Sequence, residues 1–425
     1  MTRGNSGHGL REGLLFGGVI VLFGLVFATL GPAYGTRMIA EALCYTVLAL
    51  GLTAQWGYAG LFNVGILGFA ASGAFMTVLL SFPLNEDFWS TDLPGQLGDA
   101  LLRILGLVAL TVVISQCHRI GMPRRLRTIL TTLAVLFTLV YTTSTLDPIT
   151  SEIETTAYFI GGFGLPVWIG WVGGGIVAGM LAWVVGKICL GLRSDYLAIA
   201  TLGIAEIVKT FLKNADWLTR GTLTVSPIPW PVPTPDEIGF VASRASYASL
   251  VAIAIVLFYF LLQRAYHAPW GRMMRAIRDN EVAASSMGKD INRRRLEIFV
   301  FGSVLMGIGG AMLITFTRIF DPAGFIPLNH TFLIWVMVIL GGSGNNRGAI
   351  FGALFVYIVW TLSEPMALLL FDYARIAGDA LFGWQAPGDL DSRALQMRVF
   401  VIGLTITLVL RLAPQGVIPE RTAQH

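Results

Sequence analysis

The stretch Gly13–Gly31 reads GLLFGGVIVLFGLVFATLG, nineteen residues without one charged side chain. A helix of about 20 apolar residues crosses the hydrocarbon of a bilayer. In lipid the backbone must satisfy its own hydrogen bonds, so helix is the expected form. Arg3 and Arg11 precede the stretch, as they would in a signal peptide. The apolar run is too long for one and has no convincing cleavage site, so it is read as an uncleaved span.

The pattern repeats along the chain. About twelve such segments are expected, near 13–31, 37–55, 61–82, 98–116, 128–146, 157–188, 195–213, 247–264, 297–317, 329–341, 347–371 and 396–412. The tenth is short and is expected as a half-helix or re-entrant segment. The sixth opens on Gly161, Gly162, Gly164 and Pro166, where a break is expected. A count of about nine to twelve spans is therefore predicted, in an all-α polytopic membrane bundle forming a single transmembrane domain over 1–425. Composition agrees: 55% of the 425 residues are hydrophobic, 13% are charged and mean hydropathy is +0.71. A soluble protein carries about 25% charged residues.

The +4 net charge matters through its placement. Arg119, Arg124, Arg125 and Arg127 share one loop, and Arg272, Arg275, Arg278, Lys289, Arg293 and Arg294 another. Both loops are predicted to be cytoplasmic. The acidic loops with Glu86, Asp87 and Asp92, with Asp147, Glu152 and Glu154, and with Asp372, Asp379, Asp389 and Asp391 are predicted outside. Twelve spans with both termini cytoplasmic satisfy every assignment.

No catalytic or metal-binding constellation stands out. Cys44, Cys117 and Cys189 lack ligand spacing and read as packing residues. His8, His118, His267, His330 and His425 read as loop or interfacial residues; there is no HExxH and no GxSxG. Gly341-Gly342-Ser343-Gly344-Asn345-Asn346-Arg347-Gly348 lacks the Lys-Ser/Thr ending of a phosphate loop, so nucleotide binding is rejected there. Enzyme, metal and nucleic-acid functions are not expected.

Among 49 glycines, Gly170/Gly174, Gly175/Gly179 and Gly348/Gly352 have the GxxxG spacing that lets helices approach closely. Gly57-Tyr58-Ala59-Gly60, followed by Gly65, Gly68 and Gly73, suggests a break near 55–75, of the kind tolerated where backbone lines a cavity or is buried. Intramembrane polar residues are few. Gln55, Asn63, Ser72, Thr201 and Glu206 are the candidates for a substrate path. Glu206 and Lys209, at i,i+3, can also simply pair, with Lys209 snorkelling to the interface. So sparse an ionisable content argues mildly against a proton-driven carrier.

The loop 265–296 contains Pro269-Trp270-Gly271-Arg272-Met273-Met274-Arg275-Ala276-Ile277-Arg278, continuing to Gly288. Met273, Ile277, Ala284 and Met287 fall at helical spacing, so one amphipathic helix from Pro269 to Gly288 is expected. Such a helix lies on a membrane surface or docks in a partner's groove. Glu281-x-Ala283-Ala284-x-x-x-Gly288 resembles the coupling motif of ABC importer permeases. The flanking Gly271, Arg272 and Arg278 resemble the LivM-type subunit of branched-chain amino acid importers and the related urea permeases. Ser194-Asp195-Tyr196-Leu197-Ala198-Ile199-Ala200-Thr201-Leu202-Gly203, the glycines at 57–73 and 341–352, and the tail Arg411-Leu412-Ala413-Pro414-Gln415-Gly416 are similar to further family segments, in the same order.

The resemblance implies a half-transporter of a bacterial inner membrane. It would pair with a second, LivH-like permease, two ABC ATPase subunits and an extracytoplasmic solute-binding protein, all embedded in or resting on membrane lipid. ATP would be used by the partner ATPases, with no cofactor in this chain. Gly271, Arg272, Arg278, Glu281, Ala283, Ala284 and Gly288 would carry the coupling. Two departures stand against the family pattern: the outer loop from Thr219 to Pro235, which leaves urea, short-chain amides or another amino-acid-like solute as alternative cargo, and an expanded region 84–160, read as lipid-facing padding. The alternative of a different class is an ion-gradient-driven secondary transporter.

Overall fold

The computed structural model describes residues 3–116, 123–382 and 390–420. Expectations resting on Cys117, His118, Arg119, Asp389 and His425, and on the side chains of His8, Arg124 and Asp391, lie outside the described residues. The described residues are almost wholly helical: α1 Arg3–Leu30, α2 Pro32–Leu52, α3 Ile66–Ser81, α4 Glu86–Trp89, α5 Leu93–Gln116, α6 Arg124–Thr156, α7 Val167–Cys189, α8 Ser194–Asn214, α9 Asp216–Thr219, α10 Pro235–Ile238, α11 Phe240–His267, α12 Pro269–Asp279, α13 Glu281–Ser286, α14 Ile291–Thr317, α15 Pro327–Gly341, α16 Asn346–Phe382 and α17 Leu390–Leu412. Among the described residues nine helices are long and apolar enough to cross a membrane. The shorter α3 and α15 and the more polar α8 account for the remaining three predicted segments.

Two segments cross only in part as helix. α2 loosens into a π turn over Thr53–Tyr58, and after Ala59 residues 60–65 continue without helix before α3 begins. Likewise α14 ends at Arg318, in the left-handed conformation, and an irregular run leads to α15. The half-helix expected for the tenth segment is therefore present, and the third has the same character. The glycine-rich start of the sixth is non-helical up to Pro166, where α7 begins.

The core is where α3, α7 and α14 meet, flanked by α2. Glycine makes that approach possible. A β-carbon on Gly73 would lie 2.3 Å from the Gly307 carbonyl oxygen, and one on Gly174 would lie 2.5 Å from the Gly73 carbonyl oxygen. Both expected GxxxG pairs of α7 are used: Gly170/Gly174 face α3, and Gly175/Gly179 face Ile308 and Val304 of α14.

The expanded region forms an α5–α6 hairpin packed mainly on itself. Its apolar side chains, Leu102, Val113 and Val140 among them, are exposed. A small cluster of Phe88, Leu93, Leu97, Ile153 and Ala157 steadies one end, helped by Asn85 Nδ2, which donates to the carbonyls of Ala157 and Phe159.

Candidate coupling and translocation site

The coupling loop is two helices rather than the single one expected. Asn280 breaks the run with extended backbone (φ −154°), and its Oδ1 accepts from Ala283 N at 3.0 Å, which caps α13. Gly288 ends the unit at φ +72°, a conformation open to glycine. The buried face carries Gly271, Met274, Ile277 and Ala284. Met287, expected on the buried stripe, is 79% exposed, because the break at Asn280 changes the helical phase. Val282, Ala283 and Met287 together leave an apolar face uncovered.

Each proposed coupling residue has a distinct position. Gly271 admits the close turn against α11, since a β-carbon there would lie 2.4 Å from the Tyr266 carbonyl oxygen. Arg272 Nη1 donates to the His267 carbonyl at 3.2 Å. Glu281 makes a two-pronged pair with Arg295, at 3.0 and 2.8 Å, fastening α13 to α14. Arg278 points the other way, into the bundle. Its Nη1 donates to the Gly57 carbonyl at the end of the π turn and, at 2.9 Å, to Glu420 Oε2. Burial works against the charge on Arg278, but Glu420 and Asp279 outweigh it and hold the pKa above the ordinary guanidinium value.

Glu420 belongs to the chain's tail, which packs beneath α15. Val417 N and Ile418 N donate to the carbonyls of Leu340 and Gly341, at 2.8 and 3.0 Å. Asn345 Nδ2 donates to the Ile418 and Pro419 carbonyls. The glycine-rich turn 341–348 is thus filled by protein. Gly342 (φ +112°) and Gly344 (φ +85°) supply the turn, and Gly348 fits because its β-carbon position is 2.4 Å from the Gly341 carbonyl oxygen. Glu12 of α1 pairs with Arg347 at 2.9 Å, so the start of α1, the coupling loop, the start of α16 and the tail share one end of the bundle.

Above Arg278 lies a buried polar knot. Gln55 Nε2 donates to the Phe299 carbonyl at 2.7 Å and to Ser303 Oγ at 3.0 Å. Asn63 Nδ2 donates to Gln55 Oε1 at 2.7 Å, and Asn63 Oδ1 accepts from Gly65 N at 2.8 Å. Thr201 Oγ1 accepts from Val64 N at 3.1 Å, and Trp335 Nε1 donates to the Asn63 carbonyl at 3.1 Å. The knot satisfies the backbone freed by the break at 60–65, as a low-dielectric setting demands. Gln55, Asn63 and Thr201 are thus brought together, fully buried. Ser72 stands apart, bonded to the Phe69 carbonyl within its own helix.

Glu206 is elsewhere again, on the open face of α8. Leu197, Thr201, Ala205 and Leu212 bury the other face, with Ala205 against Gly68 and Thr201 against Gly65 of the α3 segment. Glu206 is 51% exposed and accepts from Lys209 Nζ at 3.4 Å.

Sequence reasoning overlooked two ion pairs inside the spans. Arg37 pairs with Glu41 at 2.9 Å, and Glu41 also accepts from Tyr357. Arg398 of α17 pairs with Glu364 of α16 and lies over the Trp360 ring. Arg37, Glu41, Tyr357, Trp360, Glu364 and Arg398 all border one cavity of about 430 Å³. The i,i+4 spacing of Arg37 and Glu41 was the available signal. His330, expected as a loop or interfacial residue, sits in the first turn of α15, 2.7 Å from the Tyr45 hydroxyl.

A bundle with paired half-helices, a basic two-helix loop at one end and, among the described residues, nine helices long and apolar enough to cross a membrane defines a polytopic membrane protein. The model of the family described as branched-chain amino acid transport system / permease component matches residues 35–410, and the chain belongs to that family. It is 28% identical over 253 residues, 58% of its length, to the probable branched-chain amino acid transport permease protein LivM of Methanocaldococcus jannaschii, covering 67% of that protein. It is 29% identical over 216 residues, 46% of its length, to the high-affinity branched-chain amino acid transport system permease protein LivM of Escherichia coli K12. The same values hold for the protein of that name in Salmonella typhimurium LT2, and the chain spans about half the length of each of these two. No solved structure matches the chain.

Proposed function

We propose that this chain is one membrane-spanning half of an ATP-driven importer for branched-chain amino acids, resident in a bacterial inner membrane. The observation that carries the reading is the open face of α8. The helix has membrane-spanning length, yet it presents Glu206 about 18 Å along its axis to the outside of the chain. An acidic group near the centre of a span costs on the order of 3 kcal/mol in hydrocarbon. That face is therefore covered by a second permease subunit or by water between the two, and α8 forms one wall of the pathway.

The ATPases dock at the exposed apolar face of α13, at the end shared by both termini, which is cytoplasmic. Closure of the ATPases pulls α12 and α13. Arg278 passes the movement to the end of α2 through Gly57, and Glu281 passes it to α14 through Arg295. Gln55, bonded to both α14 and the 60–65 run, joins the two routes at mid-bundle. The names of the relatives support branched-chain amino acids as cargo. The solute-binding protein would meet the opposite end, near 215–239.

The test is reconstitution of the chain with its cognate second permease, ATPases and binding protein in liposomes. ATP-dependent leucine uptake is expected. ATP-dependent urea uptake without leucine uptake would replace the cargo, and leucine uptake that follows a proton gradient without ATP would overturn the importer reading.

A further inference from the structure

The two half-helices leave a cavity between them. α3 starts at Ile66 and α15 at Pro327, and both starts are brought beside α2: Tyr45 of α2 bonds His330, and Trp335 of α15 bonds the Asn63 carbonyl. The cavity measures about 270 Å³ and touches five elements. Leu48 of α2, Leu67 of α3, Ile314 of α14 and Phe325 of the 318–326 run form a predominantly aliphatic wall. Set into that wall are Thr317, Asp321 and the Tyr45–His330 pair. Thr317 and Ile319 are exposed at its mouth, and the turn Pro322–Gly324 beside the mouth packs against α8.

An apolar pocket with a few converging polar groups is the usual form of a small-ligand site. The wall suits a short aliphatic group carrying a polar, charged head. The polar groups already have partners in the protein, Asp321 Oδ1 accepting from Ala323 N at 2.8 Å and Tyr45 bonding His330 at 2.7 Å, but the carboxylate and the hydroxyls can accept further hydrogen bonds, which an ammonium head donates and a lipid tail does not. The volume is too small for a large aromatic amphiphile, and the wall contains no Lys or Arg to hold a polyanion.

We infer that this cavity is a transient receptor for an aliphatic α-amino acid in transit, the side chain lodged among Leu48, Leu67, Ile314 and Phe325, with the head toward Asp321 and the Tyr45–His330 pair. The inference rests on the proposed function, which places α8 on the pathway, and gives that pathway a midpoint selective for branched aliphatic groups.

The assembled transporter in lipid nanodiscs is irradiated with millimolar diazirine-bearing leucine, and adducts are mapped by mass spectrometry. Adducts are expected on the peptides carrying Tyr45–Leu48, Leu67–Ala70 and Leu313–Thr317, displaced by leucine and unaffected by urea. Ala70→Phe, which fills the cavity, and Thr317→Trp, which blocks its exposed mouth, should each lower labelling about tenfold, a loss of ~1.4 kcal/mol. Thr317→Trp lies on the surface and keeps the test independent of core packing. Labelling elsewhere, labelling that survives both substitutions, or displacement by a fatty acid but not by leucine would overturn the inference. Leucine uptake driven by ATP with an unlabelled cavity would overturn the inference alone. A labelled cavity in a transporter that moves leucine without ATP would uphold the cavity and overturn the importer reading.

Discussion

Arg278 of the coupling loop donates from one nitrogen to the carbonyl oxygen of Gly57, 221 positions earlier in the chain. Gly57 lies in the last turn of the π segment that follows α2, and the same Arg278 nitrogen also holds Glu420. A loop predicted to meet an ATPase is thereby bonded directly to a discontinuous membrane helix. Arg278→Gln keeps part of the hydrogen bonding but removes the charge, so about 1–3 kcal/mol of stabilisation is expected to be lost at that end of the bundle. Leucine uptake per ATP hydrolysed should fall more than ATP hydrolysis itself. Glu420→Gln should give a smaller loss, and the double variant should cost less than the sum of the two, because the pair interacts directly. Additive losses would show that the contact carries no coupling.

Ala284 and Gly288 bracket the exposed face of α13. Ala284→Trp has no room on its buried side, and Gly288→Val must adopt a left-handed backbone at a cost of about 1–2 kcal/mol. Both variants are expected to insert and accumulate in the membrane, yet to lose transport while the ATPases remain active. Normal uptake would remove α13 from the coupling route.

Gly307 stands at the contact of α14 with α7. A β-carbon there would lie 2.4 Å from that of Ala178. Gly307→Leu should therefore lower thermal stability in detergent by the equivalent of about 1–3 kcal/mol. Gly203, on the open face of α8, meets nothing within 4 Å, and Gly203→Ala should leave the melting temperature unchanged or slightly raised. Equal effects at the two positions would contradict the packing described.

Glu206 distinguishes a pathway wall from a lipid-facing helix. Glu206→Cys in the assembled transporter should react with a charged, membrane-impermeant maleimide, whereas Val140→Cys on the exposed face of α6 should not. Both variants are made with Cys117 replaced by Ser, and the remaining native Cys44 and Cys189 are buried. Failure of Glu206→Cys to react, with reaction at Val140→Cys, would place α8 against lipid.

Much of the architecture was legible in hydropathy. Each of the twelve expected segments coincides with a helix, because burial in lipid requires an apolar run whatever its neighbours. Boundaries were less legible. α6 continues to Thr156 through Pro148, and α16 runs to Phe382 through Pro365, since polar residues beyond the bilayer also form helix. Asn280 was read as part of one helix, although an Asn followed by a short helical stretch is a capping signal. Gln55, Asn63 and Thr201 were marked as polar residues in apolar segments. That Gln55 joins Asn63 to Ser303, and Thr201 bonds Val64 N, depends on contacts between residues 8 to 248 positions apart, which no local pattern records.

The sequence by itself determined a many-spanning helical membrane protein and the order of its spans, because transfer of side chains into lipid depends on composition and spacing alone. The tertiary structure decided which polar residues became a sealed knot and which faced outward, and where two half-helices enclosed a cavity. Those outcomes depend on how closely glycine-lined helices approach, and on which distant carbonyls and side chains that approach brings within hydrogen-bonding distance.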